Sequence, residues 1–366
     1  MVARLEECNI NQNGGNIMNI ADITEKKSVK EKNTTPPHVA VMQIIHSKTI
    51  CRCLSIAAEI GVADRLADSP KSASRLAEEC NVKEEPLARV LRALIAAGVF
   101  AKTQDNLFAN NALSETLISD RPATLRSFAR WVGTHLHWDT MAHLDYSVTT
   151  GKSALIRDEP DGDPFDVMSR DKVFQDIFNE AMTGLSLVDG VVIVESYDFS
   201  SYRSVMDVGG GKGALAQFIA DSAPNTEVIV YDLPHVIEET QKRIKHFSSR
   251  VKTRSGSFFK QVPGTVELIV MKHILHDWDD DHCLKILNNC RAALKSDGRI
   301  LICEMLVNDT PEGIVPKLVD IDMLVGPGGK ERTEEEFQRL LAQAGFELVK
   351  TLRTNSPINL IEAKLS

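Results

Sequence analysis

Apolar positions in the first third of the chain recur at spacings of three and four. Val41, Ile44, Ile45, Leu54, Ile56, Ala57 and Ile60 set out a helix from about residue 38, which Gly61-Val62 interrupts. A second helix is predicted from Ser72, and a third over 85–97, where Leu87, Val90, Leu91, Leu94 and Ile95 share one face. Gly98-Val99-Phe100 and Asn106-Leu107-Phe108-Ala109 then read as a small hairpin. Three helices and a hairpin have the shape of a winged helix. Residues 112–200 read as helical and aromatic-rich, with Phe128, Trp131, His135, His137, Trp138, Phe165, Phe174 and Phe178.

From residue 204 the pattern changes. Short β-branched or apolar runs at 204–208, 227–231, 251–255, 266–272 and 299–305 alternate with helical stretches at 214–220, 234–246, 281–294 and 334–345. The run 266–272 is almost continuously apolar, as a strand covered on both faces would be. Two more strands, 347–352 and 358–363, close the chain as a hairpin. The fold class that follows is α/β: a Rossmann-like sheet of seven strands, preceded by a helical, winged-helix-like domain. The expected divisions are a disordered tail over 1–37, the winged-helix-like domain over 38–115, a helical linker or pocket region over 116–200 and an α/β domain over 201–366.

Composition narrows the function. A net charge of −9 argues against a general nucleic-acid or anionic-membrane binder. The third helix carries Glu84 and Glu85 beside Arg89 and Arg92, a mixed surface that suits a packing or dimerising module better than a DNA-reading one. No apolar run approaches about 20 residues, so no transmembrane helix is expected. The polar start with Glu6 and Glu7 is unlike a secretory signal. Seven scattered cysteines without a Cys-x-x-Cys pair read as reduced thiols in a cytoplasm, with Cys51 and Cys53 in the core.

The candidate chemistry begins where the first strand of the α/β domain meets Gly209, Gly210, Gly211 and Gly213. Their spacing fits neither Gly-x-Gly-x-x-Gly nor a P-loop, since Lys212 precedes Gly213 rather than Ser or Thr. It does fit Asp207-x-Gly209-x-Gly211-x-Gly213, which resembles the first motif of S-adenosylmethionine (SAM)-dependent methyltransferases. Asp232 ends the second strand, where a carboxylate can accept both hydroxyls of a ribose; the bland alternative is a helix cap before Pro234. A second constellation, Met-Lys-His-Ile-Leu-His-Asp-Trp at 271–278, lies at the carboxyl end of the fourth strand. Methyl transfer to oxygen needs alignment and removal of a proton from a weakly acidic hydroxyl, a task for histidine near neutral pH. His276 is the candidate base, oriented by Glu304 and Glu331. Asp277, Asp279, Asp280, Asp281 and His282 could be read as metal ligands, but they sit at a helix start, where carboxylates cap free amides. His273 and His282 read as structural. Met182 is the residue most suspected of touching a flat substrate.

Taken together, Met-Asp-Val-Gly-Gly-Gly-Lys-Gly at 206–213, Tyr-Asp-Leu-Pro at 231–234, Met-Lys-x-x-x-His-Asp-Trp at 271–278 and Gly-Gly-Lys-Glu-Arg-Thr at 328–333 resemble the SAM-dependent O-methyltransferases. These are typified by plant caffeic acid and flavonoid enzymes and include bacterial natural-product tailoring relatives. The resemblance covers about residues 38–365. It implies SAM, no metal, and a homodimer in which each N-terminal domain closes the partner's pocket. It implies His276 as base flanked by Glu304 and Glu331, with Asp207, Gly209, Gly211, Gly213, Asp232, Leu233 and Lys272 at the cofactor. The adenine position falls on Ser257 and Phe258, where plant members carry Gly-Asp-Met-Phe and this chain Gly-Ser-Phe-Phe at 256–259, so the charged acceptor is missing. Trp131, His135, Phe178, Asn179, Met182 and Asp277 are the candidate substrate contacts, the acceptor being a small hydroxyl-bearing molecule and neither nucleic acid nor membrane. Competing readings are a relative that uses the scaffold for decarboxylation or hydroxylation with SAM as a ligand, and a winged-helix regulator.

Overall fold

The computed structural model describes residues 35–121, 124–159, 161–244 and 249–366. The expected tail lies outside these as far as residue 34, as does the end of the helix expected to reach 246.

The first helix, Pro37–Glu59, starts with proline at its first position, where the missing N–H has no partner to lose. Gly61, at φ 69°, turns the chain into the short helix Val62–Arg65. Ala73–Glu79 is capped by the Ser72 hydroxyl, and Glu84–Ala96 buries Leu87, Leu91 and Leu94. The hairpin is shorter than expected: strand β1 is Ala101–Lys102 and β2 is Phe108–Ala109. These elements share a separate core with Ala57, Leu66, Leu76 and Phe100. Six helices then follow, Ala112–Glu115, Arg126–Trp131, His135–Ala142, Leu144–Thr150, Pro164–Arg170 and Lys172–Ser196.

Lys172–Ser196 corrects the membrane expectation in one respect: it is long and apolar enough to cross a bilayer by length and composition. Within the fold its buried residues are Phe174, Ala181, Gly190 and Ile193, so packing takes up part of that apolar surface. Ile193 is fully buried in the sheet's core, and a Cβ on Gly190 would meet the Phe218 ring at 2.4 Å, so the helix packs directly on Ala214–Ser222.

The sheet holds β3 (Ser204–Val208), β4 (Glu227–Asp232), β5 (Val251–Ser255), β6 (Val266–Lys272), β7 (Leu294–Met305), β8 (Phe346–Arg353) and β9 (Ile358–Leu365). Their order is β5-β4-β3-β6-β7-β9-β8, with β3 to β7 parallel and β9 antiparallel to both neighbours. Along β6, Leu268 and Val270 face one apolar layer, while Ile269 and Met271 face the other. Each such side chain withdrawn from water contributes about 1.5–3 kcal/mol. The chain runs outward from β3 through β5 and then crosses back to β6, so the strand order reverses between β3 and β6. Ligands of open α/β sheets bind at the carboxyl side of that reversal. Two elements differ from expectation. β7 begins at Leu294, which pairs with Val266 before a register shift, so the preceding helix stops at Ala292. Helix Ile314–Val325 was not anticipated; its Pro316 sits in the first turn, and its run of apolar residues shows no clear helical period.

Candidate active site

The glycine turn opens directly from β3. Gly209, Gly211 and Gly213 take φ of 72°, 53° and 77°, a region closed to most side chains. A Cβ on Gly209 would strike Ile274 at 2.3 Å, whereas one on Gly211 would meet nothing within 4 Å. There is thus open space over the turn. Asp232 holds it, its Oδ2 accepting from the Gly211 amide at 2.8 Å and its Oδ1 from the Leu233 amide at 2.7 Å. Burial raises the Asp232 carboxyl above its usual range.

Asp207 lies beneath the turn, where a Cβ on Gly210 would stand 2.6 Å from its Oδ2. That oxygen is buried without a hydrogen-bond partner. Burial pushes the carboxyl up to about 7; Lys272 draws it down and Asp232 pushes it further up. An orphaned acceptor under an open glycine turn fits a cofactor with a cationic N–H group, as SAM has. Leu233 is exposed beside it, and the Phe258 ring comes to 3.9 Å from the Gly209 Cβ position. The Ser257 hydroxyl accepts from the Phe259 amide at 3.3 Å and so caps its own turn.

His276 stands in the one-turn helix Leu275–Asp277, after β6. Its Nδ1 is 2.7 Å from Glu331 Oε1, and its Nε2 is 3.6 Å from Asp277 Oδ1. Glu304, at the end of β7 and fully buried, accepts from the Ile274 and Leu275 amides at 3.0 and 2.9 Å and thereby fixes the backbone that carries His276. Loop 328–333 is stapled to the same turn. The fully buried Arg332 donates to the Leu275 and Trp278 carbonyls and to Asp280, and the Lys330 amide donates to the His276 carbonyl. Burial pulls the His276 imidazolium down, but Glu304, Asp277 and Glu331 outweigh it and hold the group up at about 10. Burial raises Asp277 to about 6 and raises Glu331 as well. Burial also opposes ionisation of Glu304, yet His276, His273 and the Ile274 amide bring it down to about 2. The two carboxylates thus move in opposite directions, Glu304 down and Glu331 up.

His273, read as structural from sequence, stands in this site. Its ring stacks on His276, 5.1 Å between centroids, and its Nε2 is 3.2 Å from Asp189 Oδ2. Lys272 Nζ is 3.8 Å from the same carboxylate. The donor atoms of His273, His276 and Glu304 fall within 4.8 Å of one another. Glu331 occupies the Nδ1 side of His276 at 2.7 Å. The acidic run that follows is a helix start, as its position suggests: Asp279 caps Asp280–Ala292 through the His282 amide.

The expected pocket residues are only partly brought together. Trp131 packs on Phe128 and Phe178, and its third ring neighbour is His137, at 4.8 Å, while His135 is exposed on the opposite side of its helix. His137 Nε2 faces Asp322 at 3.6 Å on helix Ile314–Val325, and Asp320 on that helix accepts from the Glu331 amide at 2.8 Å. The aromatic cluster is thereby one helix away from Glu331 and His276. Phe178, Met182 and Asp189, spaced by four and seven, share one stripe of Lys172–Ser196, with Asn179 beside it. The side chains missed from sequence are Asp189, Asp320, Asp322 and Arg332; all but Asp320, which bonds Glu331 only 11 residues on, act on a segment far along the chain.

A seven-stranded α/β sheet with this glycine turn, joined to a small helical domain, defines a SAM-binding methyltransferase. Residues 141–347 match the O-methyltransferase domain model and 42–120 the O-methyltransferase dimerisation domain model, and the chain belongs to this O-methyltransferase family. It is 34% identical over 326 residues to the phenazine O-methyltransferase PhzM of Lysobacter antibioticus, covering 88% of this chain and 95% of that protein. It is 32% identical to the mitomycin biosynthesis 6-O-methyltransferase of Streptomyces lavendulae, covering 88% and 93%. Among solved structures, CalO1, a methyltransferase in calicheamicin biosynthesis in its S-adenosylhomocysteine-bound form, superposes with a TM-score of 0.82 at 25% identity, over 92% of this chain and 100% of that one. The protein is a SAM-dependent O-methyltransferase of the natural-product type.

Proposed function

We propose that the enzyme methylates a phenolic or similar hydroxyl of a small secondary metabolite, with His276 as the general base. The observation that carries this is the 2.7 Å contact of His276 Nδ1 with Glu331, backed by the buried Glu304. Glu331 holds the ring so that Nε2 is the atom left to take the acceptor's proton, the arrangement a carboxylate imposes on a catalytic imidazole. Bound SAM supplies a methyl group already activated on a sulfonium. The tasks of this chain are then to align the hydroxyl and to hold its proton at Nε2. An imidazole with a neutral hydroxyl and an imidazolium with an oxyanion contain the same number of protons. The carboxylates around His276 favour the second arrangement, and an acidic hydroxyl such as a phenol reaches it most readily.

Asp207, the glycine turn, Asp232, Leu233, Phe258 and Lys272 would hold the cofactor, and Phe178, Asn179, Met182, Trp131 and Asp277 the acceptor. The names of the relatives, for phenazine and mitomycin, support a small natural-product acceptor. The N-terminal domain would pair two chains, because Val41, Met42, Ile44 and Ile45 lie exposed on its first helix. The six described cysteines are all unpaired, which suits a cytoplasmic enzyme.

The test is methyl transfer from SAM to a panel of phenols, followed by mass spectrometry. His276→Ala is expected to lose about 10²–10⁴-fold in turnover while calorimetry shows SAM affinity retained. Unchanged turnover in that variant overturns the base assignment.

A further inference from the structure

His273 combines three features that packing alone does not require. It is a non-glycine residue at φ 53°, a left-handed conformation that is strained and persists only where the surroundings enforce it. It lies three residues before His276, in the same short run as the candidate base. Its ring is held from two directions and faces a carboxylate in a third. One face stacks on His276 with 22° between planes, Nε2 meets Asp189 at 3.2 Å, and Nδ1 stands 3.6 Å from Glu304 Oε2.

That Glu304 oxygen is also 3.6 Å from His276 Nδ1, so it sits between the two imidazoles. Among the described residues, Glu304 Oε2 and His273 Nδ1 are both buried without a hydrogen-bond partner, and they stand 3.6 Å from each other. Asp189 comes from helix Lys172–Ser196, whose same stripe carries Met182 and Phe178. Seven residues of helix rise place Met182 about 10 Å from Asp189 along the axis.

We propose that Asp189 and His273 form a positioning couple for the base: the helix carboxylate holds the His273 ring against His276 and closes the open side of Glu304. This rests on the reading of His276 as base. Neither residue takes the acceptor's proton. They restrict the rotation of His276 and tie its orientation to the helix that carries the proposed acceptor contacts. Lys272, on the same carboxylate, links the couple to the cofactor side.

The experiment uses the full chain with SAM and an acceptor that it methylates. His273→Asn keeps a residue tolerant of left-handed backbone but removes the stacked ring; Asp189→Asn removes the charge, and Asp189→Glu restores it. Misplacing a catalytic group by about 1 Å can cost about 100-fold, so each Asn variant is expected to lose roughly 10- to 100-fold in kcat. KM for SAM should stay within about threefold, Asp189→Glu should recover part of the loss, and the double variant should be no worse than the poorer single one. A kcat for His273→Asn within about twofold of the unaltered enzyme, or losses that multiply in the double variant, would overturn the couple. His276→Ala run alongside separates the two readings. If it keeps its turnover, the base assignment itself fails; if it alone loses turnover, only the couple fails.

Discussion

Gly329 passes so close to His276 that a Cβ on it would lie 2.0 Å from the His276 carbonyl oxygen. The loop can bring Glu331 to His276 only because this position has no side chain. Gly329→Ala has to push loop 328–333 away from the turn it is stapled to, which lengthens the 2.7 Å contact to Glu331. A displacement of about 1 Å predicts a loss of about 10²-fold in kcat. The check is steady-state kinetics, with SAM binding by calorimetry expected to change little.

The charge state of His276 sets the pH dependence. Its imidazolium is held up at about 10 despite burial, so the neutral ring is a minority form at pH 7. Turnover that needs a deprotonated ring or acceptor therefore rises with pH across the neutral range, and levels at about 10 or at the acceptor's own pKa, whichever is lower. Glu331→Gln removes one of the anions that favour the imidazolium. Its limb should move to lower pH, while the plateau falls by about 10²-fold or more as the ring loses its orienting carboxylate. A limb that stays in place in pH–rate profiles would show that Glu331 does not act on the base.

Arg332 is a structural fastener for the site. It is almost fully buried and donates to the carbonyls of Leu275 and Trp278, while its ion-pair partner Asp280 has a largely exposed side chain. Arg332→Leu takes the guanidinium's hydrogen bonds from two carbonyls, which keep only weaker contacts to Cys283 Sγ at 3.2 and 3.5 Å, and it strands no buried carboxylate. The expected cost is on the order of 3 kcal/mol, read as a lower denaturant midpoint, with activity falling in step as the turn at 275–278 loosens.

Ile44 and Ile45 are more than half exposed on helix Pro37–Glu59. Ile44→Asp with Ile45→Asp leaves the chain's own core untouched but places charge in the proposed dimer face. Sedimentation velocity is expected to show monomer where the unaltered protein sediments as a dimer. A dimer that persists would place the interface elsewhere.

What the sequence determined by itself is what depends on neighbours along the chain. The 204–213 strand and glycine turn, the near-continuously apolar 266–272 strand and the closing hairpin are legible because dihedral demands and burial patterns repeat over a few residues. His276 and Asp277 were legible for the same reason, being carried on one short motif. Loop 328–333 was recognisable as a motif, yet its approach to His276 rests on a contact distance that no sequence pattern states. Tertiary structure alone decided that His137 rather than His135 faces the aromatic cluster, since the two residues differ only in which side of one helix meets helix Ile314–Val325. It also decided that Asp189 would reach His273, 84 residues further along. Such pairings arise when burial of two apolar faces, Lys172–Ser196 against the sheet layer and β6 within it, brings their polar ends together. Each side chain then takes the partner that packing leaves within reach, and that choice is made by the whole fold rather than by either segment.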